Sequence, residues 1–93
     1  MRISHSALLV LKACLDRSTR RLYGYELMQI TGLASGTLYP ILIRFEDAGW
    51  LSSSWEVADP REEGRPRRRL YRITGAGQRA LSQYLGTLGM EAA

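Results

Sequence analysis

The stretch Leu33-Ala34-Ser35-Gly36-Thr37-Leu38-Tyr39-Pro40-Ile41-Leu42-Ile43-Arg44-Phe45-Glu46 decides the fold. Leu38, Ile41, Leu42 and Phe45 stand at i, i+3, i+4 and i+7, one apolar face of a helix. Ser35 is placed to cap its start, because a serine hydroxyl accepts from a free N–H of the first turn. At about 100° per residue, Gly36, Tyr39, Pro40, Ile43, Arg44 and Asp47 take the opposite side. That side has few charges, an aromatic hydroxyl and a small first turn that something bulky can approach. Most short amphipathic helices only pack. This one suits a recognition helix entering a DNA groove, provided that a short helix and a tight turn precede it.

They do precede it. Tyr23-Gly24-Tyr25-Glu26-Leu27-Met28-Gln29-Ile30 reads as a short helix with Leu27 and Ile30 inward, and Thr31-Gly32 ends it. Helix, glycine-bearing turn and helix make a helix-turn-helix. Upstream, Ser4 or Ser6 starts a helix running to about Arg17. Leu8, Leu11 and Leu15 form its stripe, but Leu9, Val10 and Ala13 make the other sides apolar too. A helix apolar nearly all round needs cover on two sides, and the second is expected to meet another copy of the chain.

Downstream, Gly49 closes the recognition helix. Leu51, Ser53, Trp55 and Val57 then alternate with Ser52, Ser54 and Glu56, a strand with one buried face. Residues 58–66 read as a long hairpin loop, and residues 67–74 return as a strand with Tyr71 and Ile73 inward. Thr74 caps a last helix whose first turn Gly75 and Gly77 weaken. Leu81, Tyr84, Leu85 and Leu88 follow at i, i+3, i+4 and i+7 with little core left to join, so they are expected on a partner's helix. The fold class is therefore mainly α with a small β-hairpin, a winged helix-turn-helix in the order helix-helix-helix-strand-strand-helix. Residues 1–74 form the winged domain and residues 75–93 a C-terminal dimerisation helix and tail.

Composition narrows the function. Ninety-three residues make one small domain with a thin core. The single Cys14 excludes an internal disulfide, and with only His5 beside it there is no zinc set. No apolar run reaches the length of a membrane span, so a cytoplasmic location is expected. No nucleophile–base pair or phosphate-cradling glycine loop appears, so no catalytic residue and no cofactor is assigned. The net charge is +4, and five arginines lie between Arg65 and Arg72 with no acid among them.

Four segments in this order resemble the PadR family of winged-helix transcriptional repressors. They are Tyr23-Gly24-Tyr25-Glu26-Leu27, Ser35-Gly36-Thr37-Leu38-Tyr39-Pro40-Ile41-Leu42, Glu46-Asp47-Ala48-Gly49-Trp50-Leu51, and the run from Gly64 through Arg65-Pro66-Arg67-Arg68 to Thr74. The resemblance implies a homodimer on an inverted repeat of double-stranded DNA, with binding relieved by a small-molecule effector. Departures from the family pattern are Ala34-Ser35 for Ser-Pro, Ile43 at a commonly basic or small position, Leu70 for tyrosine, and Gly75-Ala76-Gly77. A single short helix follows the wing, as in the compact subgroup of the family.

The candidate DNA contacts are hydroxyls on Tyr25, Ser35, Thr37 and Tyr39, close approach at Gly36, and charge on Arg44, Arg65, Arg67 and Arg68. Thr37 lies toward the core edge of the wheel, where capping or packing competes. Glu62 and Glu63 would repel phosphate if they faced it. Trp50 and Trp55 read as core or dimer-seam residues. The candidate dimer contacts are Leu9, Val10, Ala13, Leu81, Tyr84, Leu85 and Leu88. A winged-helix protein-interaction module without DNA binding is the competing reading, and it has no use for Arg65, Arg67 and Arg68 beside a hydroxyl-rich helix start.

Overall fold

The structure is a computed structural model that describes residues 3–87. Helix α1 (His5–Asp16) begins at Ser4, whose hydroxyl accepts from the Ala7 N–H at 3.2 Å. A two-residue strand β1 (Leu22–Tyr23) leads into α2 (Gly24–Thr31). Gly32 ends α2 at φ 74°, a left-handed turn that a Cβ disfavours. Helix α3 (Ser35–Asp47) follows, then β2 (Leu51–Trp55), a one-turn helix α4 (Pro60–Glu63), β3 (Arg69–Ile73) and α5 (Gly75–Thr87). The sheet order is β1-β3-β2 with both pairings antiparallel, so Tyr71 lies opposite Leu22 on one side and Ser53 on the other.

The winged helix-turn-helix is as expected, with two additions among the described residues. Strand β1 extends the hairpin to three strands. Helix α4 orders the middle of the expected loop: Asp59 caps it by accepting from the Arg61 N–H at 2.9 Å, Pro60 sits in its first turn, and Gly64 ends it at φ 67°.

One core holds the helices and the sheet together. Leu11, Leu27, Leu38, Leu42, Phe45, Leu51 and Leu81 are all buried in it, with Cys14 and Tyr71. Burial pushes the Cys14 thiol up to about 12, against a weak opposing pull from Arg17. Trp50 stacks on Phe45 with ring centroids 5.5 Å apart, at the edge of this core as expected.

Helix α1 is the centre of the packing, and this corrects the expectation for its second apolar side. Helices α2, α3 and α5 and strand β3 all pack against α1. Val10 and Ala13 are therefore buried within the chain itself, as are Leu81 and Leu85 of α5. The C-terminal stripe does find a core to join, because α5 folds back along α1. Leu9, at 37% exposure, and Tyr84, half-buried, keep exposed surface, and Leu88 lies outside the described residues.

Gly77 is what brings α5 in. A Cβ there would stand 2.9 Å from Ile73 Cγ1 and 3.0 Å from the Trp50 carbonyl carbon, and closer still to the carbonyl oxygen. The residue that weakens the helix locally thus permits its close approach to the chain before β2. Thr74 caps α5 as expected: its hydroxyl accepts from the Gly77 N–H at 3.0 Å and donates to the Gly49 carbonyl at 2.6 Å.

Three further expectations are corrected. Ile30 is exposed, because Gly24, Leu27 and Met28 set the inward face of α2 and Ile30 lies roughly 100° around from it. Ser35 is the first residue of α3 and not its cap; the cap position is Ala34, which has no side-chain acceptor. Trp55 and Val57 are 61% and 96% exposed, because the alternation continues past the point where α3 covers the strand. Ser53 marks that edge, its hydroxyl bonded to the Glu46 carboxylate of α3.

Candidate nucleic-acid interface

The start of α2, the first half of α3 and the inner side of the wing enclose an open cleft of about 520 Å³. Tyr23, Gly24 and Tyr25 form one wall, Tyr39 the floor between the helices, and Arg67, Arg68, Arg69 and Tyr71 the wing wall. Tyr39 is set by Gly24. Its ring lies so close over the glycine that a Cβ would stand 2.8 Å from Tyr39 Cζ and nearer to the hydroxyl oxygen. Glu26 steadies the same corner by accepting from the Tyr23 N–H at 3.3 Å and from Arg20 at 2.8 Å. Tyr71 is buried, and its phenol is held above its ordinary value chiefly by that burial and secondarily by the Glu46 carboxylate. It stays a neutral hydroxyl.

The wing arginines are not equivalent. Arg65 grips Glu56 with both terminal nitrogens, at 2.6 and 3.3 Å. The pair holds the Glu56 carboxyl below its ordinary value, first through the Arg65 hydrogen bond. Arg69 lies 3.7 Å from Glu46 and 5.0 Å over the Trp55 ring. Arg72 reaches back to the Ser18 carbonyl at 3.0 Å and ties the sheet to the loop after α1. Arg68 stacks 4.0 Å over the Tyr23 ring, and Arg67 donates its Nε to the Ala58 carbonyl at 3.0 Å. Among the described residues, neither Arg67 nor Arg68 has a carboxylate in ion-pair range.

The outer face of α3 is exposed along Gly36, Pro40 and Ile43. Tyr39 borders it on the wing side, and Thr37 and Arg44, both exposed, border it on the other. With Ala34 at the cap, the Thr37 and Leu38 N–H groups both bond the Ala34 carbonyl, and no side chain covers the first N–H groups of the helix. Such an end favours an anion.

Of the sequence-derived contacts, Tyr25, Tyr39, Arg67 and Arg68 meet in the cleft. Ser35, Gly36, Thr37 and Arg44 lie on the exposed helix outside it. Arg65 does not line the cleft, because its guanidinium is committed to Glu56. Sequence reasoning missed Tyr23, Gly24, Arg69 and Tyr71. Tyr23 and Gly24 stood in the quoted Tyr-Gly-Tyr segment and carried a signal. Arg69 and Tyr71 had none beyond strand alternation. No helix among the described residues is long and apolar enough to cross a membrane.

Comparison with known proteins identifies the family. No curated protein matches the sequence. Among solved structures, a protein of Streptococcus mutans UA159 is 31% identical, over 96% of this chain and 84% of that one, at a TM-score of 0.68. A PadR family transcriptional regulator from Eggerthella lenta DSM 2243 is 25% identical, over 90% of this chain and 75% of its own, at a TM-score of 0.71. A PadR-like transcription factor from Bacteroides fragilis shares the fold at a TM-score of 0.72 and 24% identity, over 90% of this chain and 82% of its own. Residues 13–83 match the model of the transcriptional regulator PadR-like family, a span that runs from α1 through both walls of the cleft and into α5. On that match, the chain belongs to the PadR-like family of transcriptional regulators.

Proposed function

We propose that the chain is a sequence-specific DNA-binding repressor that acts as a homodimer on an inverted repeat. One observation carries this reading: Arg67 and Arg68, without carboxylate partners among the described residues, flank a nearly uncharged exposed helix face across a tyrosine-lined cleft. The exposed stripe of α3 fits a major groove, where Ile43 can touch a thymine methyl and Arg44 a phosphate or a guanine. The tyrosine hydroxyls and the wing arginines fit the sugar-phosphate strand beside it, which fixes register and supplies most of the affinity. Two copies related by a two-fold axis would read half-sites about one helical turn apart. The partner face falls on Leu9 and Tyr84. A small-molecule effector that relieves binding belongs to the same reading, as a competitor for the cleft or for the pairing of the two copies.

The test is binding to a palindromic duplex across a salt series. Affinity should fall steeply with salt, and the double substitution Arg67→Ala, Arg68→Ala should weaken all duplexes and flatten the slope by up to about two released ions. A double variant that binds like the parent removes the wing from the interface. For the dimer, Leu85→Glu is uninformative because it opens the core. Leu9→Glu should give monomers in sedimentation, and a parent already monomeric at binding concentrations overturns the homodimer.

A further inference from the structure

The wing is far less cationic than its arginine run suggests. Between Leu51 and Ile73 six arginines face four acids, a net charge of only +2. Glu56 is the acid built into the hairpin. It follows the last residue of β2, and its backbone N–H donates to the Arg68 carbonyl at 2.9 Å. Its carboxylate takes both terminal nitrogens of Arg65 and, at 3.3 Å, the backbone N–H of Arg68. One side chain thus closes the wing across both arms and cancels the charge of one arginine beside Arg67 and Arg68. Arg65 and Glu56 keep 29% and 18% of their side-chain surface, and the contact is bidentate, the geometry in which an ion pair holds best. Glu63 lies 4.0 Å from the same guanidinium and adds to its neutralisation.

We propose that Glu56 is a positioning residue that sets how many phosphates the wing can hold, withholding Arg65 while aligning Arg67 and Arg68, and so keeps sequence-independent binding weak. This rests on the DNA-binding reading above. Phosphate contacts carry no sequence information, so each cation offered to the backbone raises binding to every duplex alike. By withholding one, the hairpin leaves a larger share of the discrimination to α3.

The experiment is a charge cycle read as the slope of log affinity against log salt, on a palindromic and a random duplex. Glu56→Gln keeps the shape and an acceptor for Arg65 but removes the charge. It should steepen the slope by about 0.9 and tighten random-duplex binding roughly five- to tenfold at low salt, narrowing the ratio between the two duplexes. The double variant Glu56→Gln, Arg65→Gln should return the slope to the parent's. A merely structural role for Glu56 predicts the reverse: a loosened wing, a flatter slope, and no recovery in the double variant. That result overturns the proposal, as does an unchanged slope in Glu56→Gln. Should Glu56→Gln fail to fold, Glu63→Gln removes the second acid beside the Arg65 guanidinium without breaking the bidentate pair, and its slope must steepen for the proposal to stand. A parent that binds neither duplex sinks the DNA-binding reading itself, which is distinct from a parent that binds while the cycle stays flat.

Discussion

The inward face of α3 and the hairpin beside it touch at Glu46, yet they are held by different means. Leu38, Leu42 and Phe45 are buried among apolar side chains from every helix but α4. From Ser54 to Arg68, by contrast, no residue is buried. That stretch is closed by a carboxylate–guanidinium pair, a guanidinium over an aromatic ring and a one-turn helix. The helical side draws its stability from removed apolar area, which salt and mild acid leave alone. The wing draws its order from charge and hydrogen bonds, which both disturb. The scaffold that holds α3 is thus the less sensitive to solution conditions, while the wing is exposed to them.

The contrast can be broken hardest in the core. Leu81→Ala should cost about 2–5 kcal/mol in urea or thermal unfolding. A loss below about 1 kcal/mol would mean that α5 is not part of the core at all. Gly24→Ala is next, at about 1–3 kcal/mol, because the Tyr39 ring must leave its seat. It should weaken DNA binding even at temperatures where the protein stays folded, which core truncation should not do. Thr74→Ala removes the α5 cap and its bond to Gly49 and should cost about 1 kcal/mol in the same assay.

The smallest effect belongs to the wing and concerns pH. The folded Glu56 carboxyl lies below its unfolded value, so the pair stabilises the hairpin fully above the ordinary carboxylate range. That contribution is lost as pH falls through the lowered folded value. NMR titration of the Glu56 side chain should show the depressed midpoint, with Arg68 amide protection lost in step and the core amides unmoved. Core and wing amides losing protection together would erase the distinction drawn here.

The same division governs what was legible in the sequence. The helices of the trihelical layer were readable because Leu38, Ile41, Leu42 and Phe45 repeat at helical spacing and because Gly32 and Thr74 have local reasons to stop and start a helix. Period two found the hairpin but not where its cover ends, since alternation in β2 says nothing about the reach of α3. Trp55 and Val57 were therefore misplaced. Strand β1 is two residues long and exists only because β3 offers it an edge, a non-local fact. Helix α4 did carry a local signal, Asp59 before it, Pro60 opening it and Gly64 after, which a reading of loop composition passed over. In the cleft, residue type pointed to Tyr39, Arg67 and Arg68. It did not foresee that Arg65, of the same type in the same run, spends its charge on Glu56. Pairing is decided by which side chains the hairpin sets opposite each other.

Cys14 gives the molecule a built-in reporter. It is the single thiol of the chain, sits on the buried side of α1, and is held protonated by burial up to about 12. Only a thiolate attacks an alkylating or disulfide reagent, so modification must wait for the helices to part. The rate at which a thiol reagent is consumed therefore clocks global opening of the native state, without an engineered label and without interference from the wing.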